Sequence, residues 1–278
     1  MYMNETLKDR IMKNYDEFSA GEKKIAKYIV DNYHDILAMS SGELAKKSGV
    51  SDATVVRFAK SLGYKGFLQF RNELKSEFGN IRRPYFISLS MAEKIDDEAV
   101  NDYFNAMSVD ARNFMDALDL NSIERVAKRI LEADTVYLFG VGSDRIVIQY
   151  LNNYFPMLGI KTVAILEEGL ALREKVINMS EKDYLVMASF PNVQKDEFWV
   201  SDYAKSRGAG IFLITDSEIT AKCHEIDNYV MTKSSLNAFY NSNVLPMYFC
   251  DILLMKLKEL APDRAAATLK RYEEITGL

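Results

Sequence analysis

Cysteine, histidine and long apolar runs are scarce in this chain of 278 residues, and each scarcity excludes a class of protein. Two cysteines are too few for a disulfide framework, and with only two histidines the chain lacks the ligands of a typical zinc cluster. A membrane-spanning helix needs about 18 uncharged apolar residues, and the sequence has no such run. The best candidate, VLPMYFCDILLMKL, is interrupted by Asp251 and Lys256. The N-terminus also lacks the apolar core of a signal peptide. We expect a reduced, cytoplasmic protein without a metal site.

Charge is distributed unevenly along the chain, although the net charge is only −5. Residues 1–83 contain 15 basic and 11 acidic side chains, whereas residues 84–278 contain 20 basic and 29 acidic side chains. This asymmetry favours an N-terminal part that meets an anion such as nucleic acid.

The N-terminal part contains a helix-turn-helix pattern in the stretch GELAKKSGVSDATVVRFAKSLGYKGF. Two S-x-x-E capping boxes, at Ser19–Glu22 and Ser40–Glu43, predict helix starts. Gly49 suits the left-handed turn that ends the first helix of the motif, and Ser51 caps the second. Such a second helix presents its N-terminal residues to the major groove.

The second helix of this motif is amphipathic. Val55, Phe58, Ala59 and Leu62 share one face with core spacing, while the opposite face is polar. We expect base or phosphate contacts from that face and from the residues just after it. The candidate DNA-binding residues are Ser51, Asp52, Thr54, Arg57, Lys60, Lys65 and Arg71. The alternative is a small helical bundle with a solvated polar face.

The same stretch resembles the DNA-binding domain of RpiR-family bacterial transcriptional regulators. The resemblance rests on the S-x-A-T-V-x-R-F run at Ser51–Phe58 and the L-G-Y-x-G-F run at Leu62–Phe67. It implies a regulator that binds double-stranded DNA, with a palindromic operator and a homodimer or dimer of dimers as expected partners.

Beyond a break at residues 79–100, five apolar runs alternate with helical patterns. This alternation predicts an α/β domain with a doubly wound, mostly parallel five-stranded sheet, preceded by an all-α domain. The predicted organisation is a DNA-binding domain at 1–78, a linker and connecting helix at 79–120, and a further domain at 121–278. The predicted strands are 135–140, 161–166, 183–189, 210–215 and 228–232.

The first predicted strand ends in a Gly-x-Gly turn, Gly140–Gly142, which is a weak motif by itself. A dinucleotide fold needs a third glycine where this chain has Arg145, so we expect no cofactor. The C-terminal part instead resembles the sugar-isomerase (SIS) phosphosugar-binding domain that follows the same N-terminal domain in RpiR-family regulators. The resemblance rests on the Gly140–Ser143 loop, on the third strand, and on the run AKSRGAGIFLITDS at Ala204–Ser217.

The resemblance implies a ligand site in the loops after the first and third strands. The family loop S-x-S-G-x-T-x-E reads SFPNVQKD at Ser189–Asp196 in this chain. Pro191, Asn192 and Gln194 stand where the family loop has serine, glycine and threonine. Pro191 has neither a hydroxyl nor an N–H to donate, and we expect the three replacements to weaken phosphate binding. The candidate ligand-binding residues are Gly140, Gly142, Ser143, Asp144, Ser189, Asn192 and Gln194.

An Asp144 carboxylate about 4 Å from a phosphate would cost about 4 kcal/mol at an effective dielectric near 20. We therefore expect an uncharged or cationic sugar-like effector, or loops that are only solvated turns on a dimerisation domain. Catalysis is not expected, because Glu167, Glu168 and His224 have no phosphate-anchored substrate to act upon. The function expected is a regulator of sugar or amino-sugar metabolism. The alternatives are a constitutive DNA-binding dimer and an SIS isomerase.

Overall fold

The computed structural model describes residues 7–32, 35–75, 97–190, 195–232 and 242–277. The chain divides into two compact units. The first contains the described residues of 7–75 together with Ser217–Glu225, and the second contains the described residues of Ile95–Asp216, Ile226–Ser235 and Ser242–Leu278. Among these residues, no helix combines the length and apolarity needed to cross a membrane.

The first unit is entirely helical in its described residues. Its helices are α1 (Leu7–Asn14), α2 (Ala20–Asp31), α3 (Ser41–Ser48), α4 (Asp52–Ser61), α5 (67–75) and α11 (Glu218–Cys223). Both predicted capping boxes are present: Ser19 accepts from the Glu22 N–H, and Ser40 accepts from the Glu43 N–H. In each box the glutamate accepts in return from the N-cap N–H, which fixes the start of the helix.

The core of the first unit is built largely from aromatic rings. Phe58 of α4 lies 5.2 Å from Phe18 and 6.1 Å from Phe70 between ring centroids. The sequence analysis did not predict α1, yet Leu7 and Ile11 of this helix are buried in the unit. Their i, i+4 spacing is the signal that predicts such a helix.

The second unit contains a five-stranded sheet, and all pairs among its described strands are parallel. The strand order is β2-β1-β3-β4-β5, which confirms the predicted doubly wound α/β fold. The order reverses between β1 and β3, and ligands of open α/β sheets bind at such a switch point. The strands are β1 (Val136–Phe139), β2 (Thr162–Ile165), β3 (Tyr184–Ser189), β4 (Gly210–Thr215) and β5 (Tyr229–Met231).

Helices cover the sheet and complete the core of this unit. They are α6 (Asp97–Ala117), α7 (Leu120–Glu132), α8 (Arg145–Tyr154), α9 (Gly169–Val176), α10 (Lys195–Ser206), α12 (Val244–Leu260) and α13 (Pro262–Thr276). On α10, Trp199 stacks on Tyr203 with centroids 5.1 Å apart, and Arg173 of α9 lies 4.6 Å from the Trp199 ring. The apolar face of α12 is core, as Phe249, Leu253 and Leu257 are fully buried.

We expect Ser40→Ala to lower the free energy of unfolding by about 1 kcal/mol, because it removes the side-chain acceptor of the Glu43 N–H at the start of α3. Urea denaturation measures the change. Ser41→Ala, one residue into the same helix, is the control and should change stability by less than about 0.5 kcal/mol. Equal effects of the two substitutions would contradict the role of the cap.

Candidate DNA interface and ligand loops

Helices α3 and α4 form the predicted helix-turn-helix. Gly49 ends α3 in the left-handed conformation, with φ 66°, and its N–H donates to the carbonyl oxygens of Ala45 and Lys46. Ser51 then caps α4 by accepting from the Thr54 N–H at 3.2 Å. The two helices are therefore joined by a three-residue turn, Gly49–Ser51, which has the length and the glycine typical of the helix-turn-helix motif.

The predicted apolar face of α4 is buried in the structure. Thr54, which was predicted to lie on the polar face, is buried as well. Val55, Phe58 and Ala59 are fully buried. Thr54 is buried because it lies next to Gly21 of α2, where an added Cβ would come 3.1 Å from the Thr54 methyl group. Thr54 is thus in contact with α2 and does not lie on the open polar face.

The exposed surface of α4 carries Ser51, Asp52, Arg57 and Lys60. Arg57 donates to the Thr54 hydroxyl at 3.3 Å, which holds its guanidinium beside the start of the helix. A guanidinium in this place is suited to bidentate contact with guanine or to a phosphate. Lys65 is also exposed, just beyond α4.

Arg71 has a different environment from the other basic candidates. Its guanidinium donates to the carbonyl oxygen of Met39 at 3.1 Å, immediately before the capping box of α3. This hydrogen bond joins α5 to the segment that leads into the motif. At least one N–H of the Arg71 guanidinium therefore has a partner within the first unit.

The loop after β1 is packed tightly against α8. A Cβ on Gly140 would lie 2.6 Å from Ile148 Cγ1 and 3.0 Å from the Asp144 carbonyl oxygen, so only glycine permits this approach. Gly142 follows in the left-handed conformation, with φ 58°. The predicted Gly-x-Gly turn therefore serves close packing and chain reversal, and it places Ser143 and Asp144 at the switch point.

Asp144 connects the two predicted ligand loops. Its Oδ2 accepts from the backbone N–H of Phe190, directly after β3, at 3.1 Å. Its Oδ1 accepts from the Ser143 hydroxyl at 3.2 Å. Asp144 is 3% exposed, so its carboxyl group points into the protein. There it accepts the hydrogen bond from Phe190, the first residue after β3.

The environment of Asp144 favours its neutral form. Burial raises the pKa of this carboxyl group to about 7, and the hydrogen bonds from Phe190 and Ser143 oppose the rise. The charge of Asp216, which follows β4, raises the pKa further. Sequence reasoning did not single out Asp216, although its place directly after a buried parallel strand is the signal for this edge of the sheet.

The other predicted ligand residues divide into two groups. Ser189 ends β3 and is buried, in register with Thr215 of β4. Asn192 and Gln194 lie outside the described residues.

A separate cavity of about 360 Å³ lies between the end of α6, the start of α7 and β5, and its lining includes Asp119 and Asp227. These two carboxylates disfavour a phosphate there.

Two of the residues considered for catalysis, Glu167 and His224, have partners away from the switch point. Glu167 forms an ion pair with Lys175 at 2.7 Å, and hydrogen bonding to this lysine lowers the pKa of the glutamate. A general base for isomerisation needs a pKa nearer to neutrality. His224 caps the end of α11 as predicted and is buried in the first unit.

Comparison with known families agrees with this division of the chain. Residues 5–80 match the helix-turn-helix domain of the rpiR family, and residues 129–256 match the SIS domain. The geometry and these matches define a helix-turn-helix transcriptional regulator with a C-terminal SIS domain. The chain belongs to the RpiR family of transcriptional regulators, which confirms the resemblance inferred from the sequence.

Relatives with names of the same kind cover most of the chain. An uncharacterized HTH-type transcriptional regulator of Clostridium perfringens is 26% identical over 85% of this chain and 84% of its own length. The HTH-type transcriptional regulator HexR of Escherichia coli is 24% identical over 75% of this chain and 72% of its own length. Both names describe regulators of transcription.

Two solved structures share the fold. The sugar isomerase domain of an RpiR transcription factor from Sphaerobacter thermophilus is 23% identical, with a TM-score of 0.58 over 63% of this chain and 97% of that chain. The Vibrio vulnificus NanR protein, complexed with ManNAc-6P, is 21% identical, with a TM-score of 0.57 over 98% of both chains.

Proposed function

We propose that this regulator binds a palindromic operator as a homodimer or a dimer of dimers in the cytoplasm and responds to a sugar or amino sugar. The observation that supports DNA binding is the capped helix α4, whose exposed face carries Arg57, held beside the start of the helix by Thr54, and Lys60 in the last turn. We assign DNA binding to residues 1–78, the connection to 79–120, and effector binding with dimerisation to 121–278. A twofold dimer places its two recognition helices about one DNA turn, or a multiple of it, apart.

We infer that the effector is uncharged or cationic and does not bind through a phosphate. Asp144 already takes the Phe190 N–H, which is one of the donors that a phosphate in the β3 loop would need. The charge of Asp216 acts at this edge as well, and a carboxylate there disfavours a second anion. Because NanR is complexed with ManNAc-6P, N-acetylmannosamine is a suitable first probe, with and without its phosphate.

Catalysis is not part of the proposal. The pairing of Glu167 with Lys175 and the burial of His224 in the first unit leave neither residue placed as a base at the switch point. The second candidate is a constitutive DNA-binding dimer, which the buried Asp144–Phe190 hydrogen bond favours because an internal partner already occupies the Phe190 N–H.

The proposal is tested by selecting a duplex from a randomised library with the purified protein and then adding sugars. We expect N-acetylmannosamine, glucosamine or another unphosphorylated sugar to raise the melting temperature and to change the affinity for the duplex. At 100 times its dissociation constant a ligand adds about 2.7 kcal/mol of stability.

The outcomes separate the parts of the proposal. A response confined to the 6-phosphates would overturn the effector class and leave the regulator intact. Duplex binding that no sugar changes would favour the constitutive dimer. Failure to select any duplex would contradict DNA binding itself.

A further inference from the structure

Helix α11 follows β4 in the chain but belongs to the other compact unit. The sheet strand β4 ends at Thr215, and the segment Ser217–Glu225 is part of the helix-turn-helix unit. There α11 packs against α1 and α2. The chain therefore passes from the carboxyl edge of the sheet into the DNA-binding unit within two residues.

A buried polar pair fixes α11 to α2. His224 Nε2 lies 2.8 Å from Asp31 Oδ1 at the end of α2, and the His224 side chain is fully buried while that of Asp31 is 18% exposed. Removing one member of such a pair leaves a buried polar group without its partner, which is strongly unfavourable. The pair is therefore specific for one position of α11 on α2.

Further contacts surround this pair. Lys222 Nζ lies 3.2 Å from Asp16 Oδ2, and the Tyr15 hydroxyl donates to the Lys222 carbonyl oxygen at 3.5 Å. Cys223 is buried beside Tyr15, and burial raises the pKa of its thiol to about 12. The ion pair is exposed, whereas Cys223 and His224 are buried, so a displaced α11 would expose apolar and polar groups together.

The other end of the segment adjoins the candidate ligand loops. Thr215 is in register with Ser189 at the end of β3, and the charge of Asp216 acts on Asp144. The first residues of the segment therefore adjoin the end of β3, and Asp216 interacts electrostatically with Asp144.

We propose that the segment from Asp216 to Glu225 couples the ligand loops to the DNA-binding unit, with the His224–Asp31 pair as its anchor on α2. This inference rests on the proposed function. Asp31 and His224 are positioning residues, which act through α2 and have no contact with DNA or effector in the mechanism. Coupling between binding sites is reciprocal, so DNA binding must also act on the end of β4.

The test measures amide hydrogen exchange of the full-length protein with and without the selected duplex. In the wild type we expect the duplex to slow exchange across residues 213–225 by at least about fivefold, the low end of ordinary coupling between sites. In Asp31→Ala we expect duplex affinity within about threefold of wild type, and no change of exchange at 213–216 on DNA binding. Asp31→Asn keeps an oxygen acceptor for His224 and should restore the response.

Asp16→Asn is the matched control, because it removes only the exposed ion pair to Lys222 and should keep the wild-type response. An Asp31→Ala protein that still responds like wild type would overturn the inference, as would a wild type that binds the duplex without any change at 213–225. Both results leave the regulator proposal standing. If Asp31→Ala loses duplex binding, His224→Leu takes its place in the test, since leucine fills the site without a hydrogen bond. The same loss of the exchange response at 213–216 is then expected, and a wild-type response would overturn the inference. A wild type that selects no duplex contradicts both proposals.

Discussion

Asp144→Asn is expected to remove a pH dependence of about 3 kcal/mol from the stability of the sheet unit between pH 5 and pH 8. The folded-state pKa of Asp144 is raised from 3.8 to about 7, chiefly by burial. The folded protein therefore holds this proton more tightly than the unfolded chain does. Stability from Asp144 is fully present below about pH 4 and is lost as the pH rises through about 7.

Asparagine keeps an oxygen for the Phe190 N–H and carries no charge, so the variant should be more stable than wild type at pH 8. Urea denaturation at several pH values measures the effect, and exchange of the β3 amides identifies the transition of the sheet. The exposed Asp116 provides the control substitution Asp116→Asn. Parallel stability curves of wild type and Asp144→Asn across this range would refute the buried-acid interpretation.

Arg57→Ala is expected to weaken binding to the selected duplex by about 1–3 kcal/mol and to relax the preference for one base. The physical reason is the loss of a guanidinium held beside the start of α4 by Thr54. Binding titrations on the selected duplex and on single-base variants of it measure both effects.

Two comparisons make the Arg57 result interpretable. Lys60→Ala should weaken binding to all duplexes alike and lower the salt dependence by about one phosphate contact. Lys24→Ala, at an exposed position of α2, should leave affinity unchanged. An Arg57→Ala protein with wild-type affinity and base preference would remove Arg57 from the reading role.

Local patterns predicted the elements whose causes are local. The capping boxes at Ser19 and Ser40, the glycine turn at Gly49 and the five apolar strands depend on neighbouring residues, and the structure contains all of them. The terminal helices were missed, although Leu7 and Ile11 in α1 and Pro262 at the start of α13 carry ordinary signals.

The site depends on residues that are distant in sequence, and this limited its prediction. Asp144 and Phe190 are 46 residues apart, and Asp31 and His224 are 193 residues apart. No spacing rule joins such pairs, because packing of the sheet and of the helices brings them together. Thr54 shows the same limit on a smaller scale, since the position of Gly21 on α2 decides that it is buried.

The stacked tryptophan of α10 gives the chain an optical reporter of its own. Trp199 is the single tryptophan, and its indole contacts both the Tyr203 ring and the Arg173 guanidinium. Since α10 is the helix that follows the β3 loop, a ligand that shifts α10 against α9 changes the surroundings of this indole. The fluorescence emission of Trp199 then reports ligand binding at the loops without any added label. Binding of DNA to the other unit is measured separately.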